Sequence, residues 1–182
     1  MTDDSPLPAD PNRPYRILVV CTGNICRSPM GAVVLRERLR EAGLDRAVEV
    51  DSAGISDEEH GNPIDPRAQS VLAEHGYPVP AHSAHQVTAH ELTDYDLALA
   101  MTAQHERALA RLADRAPGEA ARISMWREFD ATAPARGTGG ADLDVPDPWY
   151  GPHDGFYDTL AVVERGADGL VEHLRDRVAP TG

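Results

Sequence analysis

Basic side chains are in short supply: 17 Lys and Arg against 30 Asp and Glu leave this 182-residue chain with a formal net charge of -13. A phosphate backbone or an anionic membrane surface demands a basic patch, so that balance argues against nucleic acid and lipid as partners. Cysteine is nearly missing, with Cys21 and Cys26 alone, five positions apart around a glycine turn. That pair is no secreted disulfide framework. No hydrophobic run approaches the ~18 residues of a membrane span, and the N-terminus is acidic and polar rather than a signal sequence. The cytoplasm is therefore the expected compartment. Internal repeats are absent, and the eight histidines show no zinc-ligand spacing even where His82, His85 and His90 cluster, so no metal and no cofactor is expected. What remains is an ordinary globular composition, 41% hydrophobic and 26% charged, long enough for one domain with a sizeable core. A monomer is the expected state.

The chain is organised around residues 16–29, Arg-Ile-Leu-Val-Val-Cys-Thr-Gly-Asn-Ile-Cys-Arg-Ser-Pro. Ile17 to Val20 read as a buried strand. A Gly/Asn turn follows, and Ser28 and Pro29, as N-cap and first helical position, predict a helix whose pattern begins at Met30. Cys21 thus falls at a strand end and Arg27 at a helix start. Successive backbone N–H groups of such a tight loop converge, and the positive end of the helix dipole adds to them, which makes an anion cup. A lone buried cysteine is usually inert packing. On the floor of an electropositive cup it is instead expected to be a thiolate nucleophile. Arg27 offers a planar fork that matches two phosphoryl oxygens. Gly23 permits close backbone approach, and Asn24 tolerates positive φ. Ser28 is placed either to cap the helix or to donate its hydroxyl to the Cys21 sulfur.

In chain order, residues 1–14 carry four prolines, several acids and no apolar periodicity, and read as a disordered tail. Met30, Val33, Val34, Leu35 and Leu39 keep helical spacing to a stop at Gly43. Val48 to Val50 predict a short strand, Ile55 to Ile64 a loop. Asp65-Pro66 opens a second helix with Ala68, Val71 and Leu72 inward and Gly76 as its stop. Tyr95 to Met101 read as a buried strand, Gln104 to Ala113 as a helix and Arg122 to Met125 as the last strand. Ala133 to Gly140 read as an exposed loop running into Asp144-Val145-Pro146-Asp147-Pro148, and Phe156, Leu160, Val163, Leu170, Val171 and Leu174 as the inner face of a closing helix. Alternating strands and helices predict an α/β fold: a doubly wound, four-stranded parallel sheet with helices on both faces and ligands at the carboxyl ends of the strands.

The run from Val20 to Pro29 resembles, residue for residue, the phosphate-binding loop of the low-molecular-weight protein tyrosine phosphatases. A bare Cys-x5-Arg would be weak. Here Asp51-Ser52-Ala53-Gly54, Asp65-Pro66-Arg67-Ala68, His75-Gly76-Tyr77 and Asp147-Pro148-Trp149-Tyr150-Gly151 follow in the family's order. The resemblance implies a phosphatase domain over residues 15–180, acting on tyrosine-phosphorylated proteins. It implies that Cys21 is the nucleophile, that Arg27 and the loop residues Thr22, Gly23, Asn24, Ile25, Cys26 and Ser28 bind the phosphoryl group, and that Asp147 is the general acid. Asp-Pro alone would read as a turn start. Trp149 and Tyr150, in a loop beside Pro and Gly, are expected to wall the cleft. Cys26 is implied as a resolving thiol that links reversibly to an oxidised Cys21, and His82 matches a histidine that braces the loop.

Three departures from the family's pattern stand out. His85 occupies a usual arginine position, Thr102 a frequent aspartate position, and Glu58-Glu59-His60 the place of an aromatic wall after Asp57, which puts the charge of Glu58 near the substrate's path. Two related activities fit less well. Thioredoxin-coupled arsenate reductases share the fold and Cys-x5-Arg but need further cysteines downstream, and none follows Cys26. Members that hydrolyse phosphoarginine tend to carry Thr where this chain has Ile25. A loop that merely binds anions or senses oxidants would have no need of Asp147.

Overall fold

The computed structural model describes residues 12–136, 143–149 and 151–178. Four parallel strands, β1 (Tyr15–Cys21), β2 (Val48–Gly54), β3 (Leu97–Ala100) and β4 (Arg122–Met125), form one sheet in the order β2-β1-β3-β4. Between and after them run α1 (Arg27–Glu41), α2 (Pro66–Glu74), α3 (Ala103–Ala113) and α4 (Gly155–Arg175). The doubly wound arrangement follows from the two-residue period of β1. Ile17, Val19 and Cys21 enter a core shared with α1, α2 and α4, while Leu18 and Val20 enter a second core with Leu109 of α3. Because both faces are covered, β1 is apolar without alternation, as a central parallel strand must be. All six apolar residues expected on the inner face of α4 are buried, and so are Ala68, Val71 and Leu72 of α2.

The boundaries differ from the sequence reading where side chains claim backbone partners. α1 starts at Arg27, with Cys26 rather than Ser28 at its cap; Met30 N donates to Cys26 O at 3.0 Å, and the Ser28 hydroxyl is engaged inside the loop instead. β2 extends to Gly54, in register with Cys21. β3 is shorter than expected because the Asp96 carboxylate, just before it, takes Arg16 N at 2.8 Å and the Arg13 guanidinium at 2.7 and 2.8 Å. Arg13 lies within the stretch read as a tail, whose residues 1–11 fall outside the described residues, as do residues 137–140 of the expected Gly-rich loop.

Two short 3-10 turns, Glu91–Asp94 and Trp126–Phe129, were not legible in the sequence. The second lies directly on α4. A Cβ at Gly169 would strike the Phe129 carbonyl and one at Gly166 the Trp126 ring; the indole donates to Val163 O at 3.2 Å. Among the described residues no helix is long and apolar enough to cross a membrane.

Candidate active site

Cys21 ends β1 at the carboxyl edge of the sheet and is 3% exposed. The loop that follows turns on Asn24, whose φ of 61° is positive, the one such value at a non-glycine among the described residues. Left-handed backbone is unfavourable for a side-chain-bearing residue unless its surroundings over-determine it. Here they do. Asn24 Nδ2 donates to Ser28 Oγ and Ser52 Oγ, both at 2.9 Å, and its Oδ1 accepts from His85 N at 3.1 Å. Its carbonyl accepts from His82 Nε2 at 2.7 Å, so the His82 ring acts as the expected brace. Burial holds His82 below the usual imidazole range, in keeping with a neutral donor. His85, in the arginine position, bonds Glu91 Oε1 at 2.7 Å, and that contact raises its pKa. Gly54 closes the loop's underside: a Cβ there would sit 2.6 Å from Thr22 O.

Ser28 Oγ lies 3.0 Å from Cys21 Sγ. As a thiol Cys21 donates to Ser28 Oγ, which also accepts from the Asn24 amide, and the Ser28 hydroxyl is within reach to donate to the sulfur in return. Arg27 at the start of α1 is 6% exposed and donates through Nη1 to Val145 O at 3.2 Å, with Nη2 3.4 Å from Asp147 Oδ2. Residues 120 apart in sequence therefore meet at one point.

The segment carrying Asp147 is moored to the sheet and to two helices. Val145 N donates to Met101 O just past β3 at 2.8 Å, Ala103 N to Asp144 Oδ1 at 2.8 Å, and Thr159 Oγ1 to Pro146 O at 3.2 Å. Asp147 itself is 41% exposed at the side chain, with Oδ1 accepting from Trp149 N at 3.0 Å. Between this segment, the cup and α3 lies a cleft of about 640 Å³, lined among others by Thr22, Arg27, Thr102, His105 and Asp147.

The structure brings Cys21, Thr22, Gly23, Asn24, Ile25, Cys26, Arg27, Ser28 and Asp147 to one edge of the sheet. Trp149 is exposed and stacks on Arg67, whose guanidinium carbon is 5.3 Å from that ring and 4.7 Å from the Phe156 ring. Tyr150 lies outside the described residues. Arg67 also holds Asp65 through two bonds of 3.1 Å and donates to Trp149 O at 3.4 Å. It clips the segment carrying Asp147 and Trp149 to the start of α2. Sequence reasoning passed over both Arg67 and His105. Arg67 stood inside a matching motif and carried the available signal; His105 had none. Thr102, at a position where the family frequently has an aspartate, caps α3 by accepting from His105 N at 3.2 Å.

The charged loop beside the cup differs from expectation in its detail. Glu58 is exposed, its amide on Ser56 Oγ, whereas Glu59 leans over the cup: its Cγ would be 3.1 Å from a Cβ on Gly23, and its carboxylate accepts from Asn62 at 2.7 Å. Of the two, Glu59 is the one whose side chain reaches Gly23 of the cup. Removing that charge with Glu59→Gln should raise kcat/KM for a dianionic aryl phosphate by about two- to fivefold at low salt, and the gain should vanish at ~1 M salt. A gain that persists at high salt would assign the effect to shape.

A doubly wound sheet whose central strand delivers Cys21 into a Cys-x5-Arg loop, with Asp147 arriving from a distant segment, is the layout expected of the phosphatases that the sequence resembles. Residues 16–179 match the family described as low molecular weight phosphotyrosine protein phosphatase, and the chain belongs to that family. It is 46% identical over 164 residues to the low molecular weight protein-tyrosine-phosphatase of Streptomyces coelicolor, covering 90% of this chain and 96% of that one. It is 43% identical over 169 residues to low molecular weight protein-tyrosine phosphatase A of Mycobacterium tuberculosis, covering 93% and 97%. A solved Entamoeba histolytica protein tyrosine phosphatase with Hepes in its active site superposes with a TM-score of 0.78 at 28% identity, over 89% of this chain and 97% of that one. The protein is a protein-tyrosine phosphatase of the low molecular weight kind, a hydrolase.

Proposed function

We propose that the protein hydrolyses phosphotyrosine in protein substrates, and small aryl phosphates, through a cysteinyl-phosphate intermediate, with residues 15–180 as the catalytic unit. Cys21 attacks phosphorus in line. Arg27 and the loop amides hold the equatorial oxygens, and Asp147 protonates the departing phenolate oxygen. The S–P bond so formed is cleaved by a water that the ionised Asp147 deprotonates, releasing phosphate and the free thiolate. The charge is met by the guanidinium and the amides, so no step calls for a metal ion. The observation that carries this reading is the meeting of Arg27 and Asp147 above the Cys21 cup. Hydrolysis of p-nitrophenyl phosphate in EDTA, beside a panel of phosphotyrosine, phosphoserine and phosphoarginine peptides, tests it. Turnover in EDTA with preference for phosphotyrosine supports it; loss of turnover in EDTA or preference for phosphoarginine overturns it.

Cys26 acts as the resolving thiol under oxidation, but a reluctant one. Its burial, then the neighbouring Asp65 and Cys21, hold the thiol well above its ordinary range, and only a thiolate attacks a sulfenic sulfur. The trapping step should quicken as pH rises. After matched peroxide exposure, wild type and Cys26→Ala should differ little in dithiothreitol-recoverable activity at pH 7 and clearly at pH 9, with a Cys21–Cys26 link seen by mass spectrometry in the wild type. Equal recovery at both pH values and no link would make Cys26 plain packing.

A further inference from the structure

The mechanism above makes no use of His105, although its ring sits at the rim of the cup. Its position is set by α3, in whose first turn it lies: Thr102 Oγ1 accepts from His105 N, and Ala103 N is tied to Asp144. The residue is 1% exposed, its Nε2 is 2.8 Å from Thr22 Oγ1, and its Nδ1 is buried with no partner. Burial and the nearby Arg27 push the imidazole down to about 3, so the ring is neutral at working pH and carries one proton.

That proton has two possible places. On Nδ1 it would be a buried N–H with no acceptor, the rarer and more costly defect. On Nε2 it has Thr22 Oγ1 as its acceptor, and only a lone pair is left unmatched. The second arrangement fixes the Thr22 hydroxyl: with one side occupied by the histidine N–H, its own proton must point elsewhere. Thr22 lines the cleft with Arg27 and Asp147. Elsewhere in the same loop the Asn24 amide likewise donates to a hydroxyl oxygen, that of Ser28.

We propose that His105 is a positioning residue: its Nε2–H holds Thr22 Oγ1 as an acceptor and thereby turns the Thr22 hydroxyl proton into the cleft, as a donor to the phosphoryl oxygens beyond those of Arg27 and the amides. The proposal rests on the phosphoryl-transfer reading above. A donor of this kind to a charged acceptor is worth about 10- to 100-fold.

Two substitution series and one spectrum test it. Thr22 is on the surface of the loop, so Thr22→Val removes the hydroxyl at constant shape. It should lower kcat/KM for p-nitrophenyl phosphate by about 10- to 100-fold, while Thr22→Ser stays within about threefold of wild type. In a Cys21→Ser background, Thr22→Val should weaken binding of inorganic phosphate in calorimetry, which reads the donor without turnover. His105→Gln keeps an N–H near the Nε2 position and should retain more activity than His105→Asn or His105→Leu. His105→Leu should cost little once Thr22 is already Val. In the folded wild type, the ¹⁵N spectrum of the ring should show the proton on Nε2 across the active pH range. An active wild type whose Thr22→Val variant matches it, a proton found on Nδ1, or full multiplication of the Thr22 and His105 losses would each overturn the proposal. A wild type inactive on every phosphomonoester would instead overturn the functional reading beneath it.

Discussion

Cys21→Ser is expected to abolish turnover while phosphate still binds. The serine hydroxyl is not ionised at neutral pH, and it forms an ester that leaves poorly, so both halves of the double displacement fail together. Loss of a covalent nucleophile removes a loop's worth of cooperation at once, and a fall of at least ~10³-fold in kcat is anticipated. Structure offers no reason for the cup itself to collapse. Its shape rests on Asn24, Ser28, Ser52, His82 and Gly54, none of which needs the sulfur, and a serine oxygen still reaches the Ser28 hydroxyl. Calorimetry with inorganic phosphate and steady-state hydrolysis of p-nitrophenyl phosphate on the same variant separate binding from chemistry. Residual hydrolysis that depends on added metal would sink the cysteinyl-phosphate route.

The second large effect belongs to Asp147→Asn. Positioned acids contribute roughly 10²- to 10⁴-fold, and the loss should grow as the leaving group becomes more basic: smallest for p-nitrophenyl phosphate, larger for phosphotyrosine peptides and larger still for alkyl phosphates. The geometry makes the substitution a clean one. Oδ1 of Asp147 accepts from Trp149 N at 3.0 Å and an asparagine carbonyl keeps that bond, while the Arg27 contact surrendered at Oδ2 is long, at 3.4 Å, and partly open to water. Arg27 retains Val145 O. A loss of the same size for every leaving group would assign Asp147 to holding the loop rather than moving a proton.

What could be read from the sequence is what local pattern and short-range chemistry encode. The apolar run of β1, the inner face of α4 and the Asp65-Pro66 start of α2 follow from period and capping alone, and the whole phosphate loop could be placed because its residues are contiguous. Asp147 was found by its motif, but its distance from Arg27 is a tertiary fact. Nothing in the spacing of residues 27 and 147 says they meet; the mooring of Val145 on Met101 and of Pro146 on Thr159 brings it about. His105 was invisible for a related reason. A histidine in the first turn of an amphipathic helix looks like a surface or core residue until the neighbouring loop supplies Thr22. Ser28 shows the limit in another form, since two physically sound uses of one hydroxyl competed, and the start of α1 at Arg27 with Cys26 at its cap left Ser28 to the loop. The choice between Glu58 and Glu59 likewise depended on which side of a short loop faces Gly23.

The hydrogen bonds that pin Asn24 at positive φ have a thermodynamic consequence for ligand capture. Fixing a residue's backbone costs about 1–2 kcal/mol in entropy, so ordering the five residues from Thr22 to Cys26 amounts to ~5–10 kcal/mol. With His82, His85, Ser28 and Ser52 holding that conformation through contacts that involve no ligand, the ordering is completed when the chain folds. An arriving phosphoryl group would therefore meet a loop already ordered, and that ~5–10 kcal/mol would not be drawn from its interaction energy. A mobile loop would draw on it.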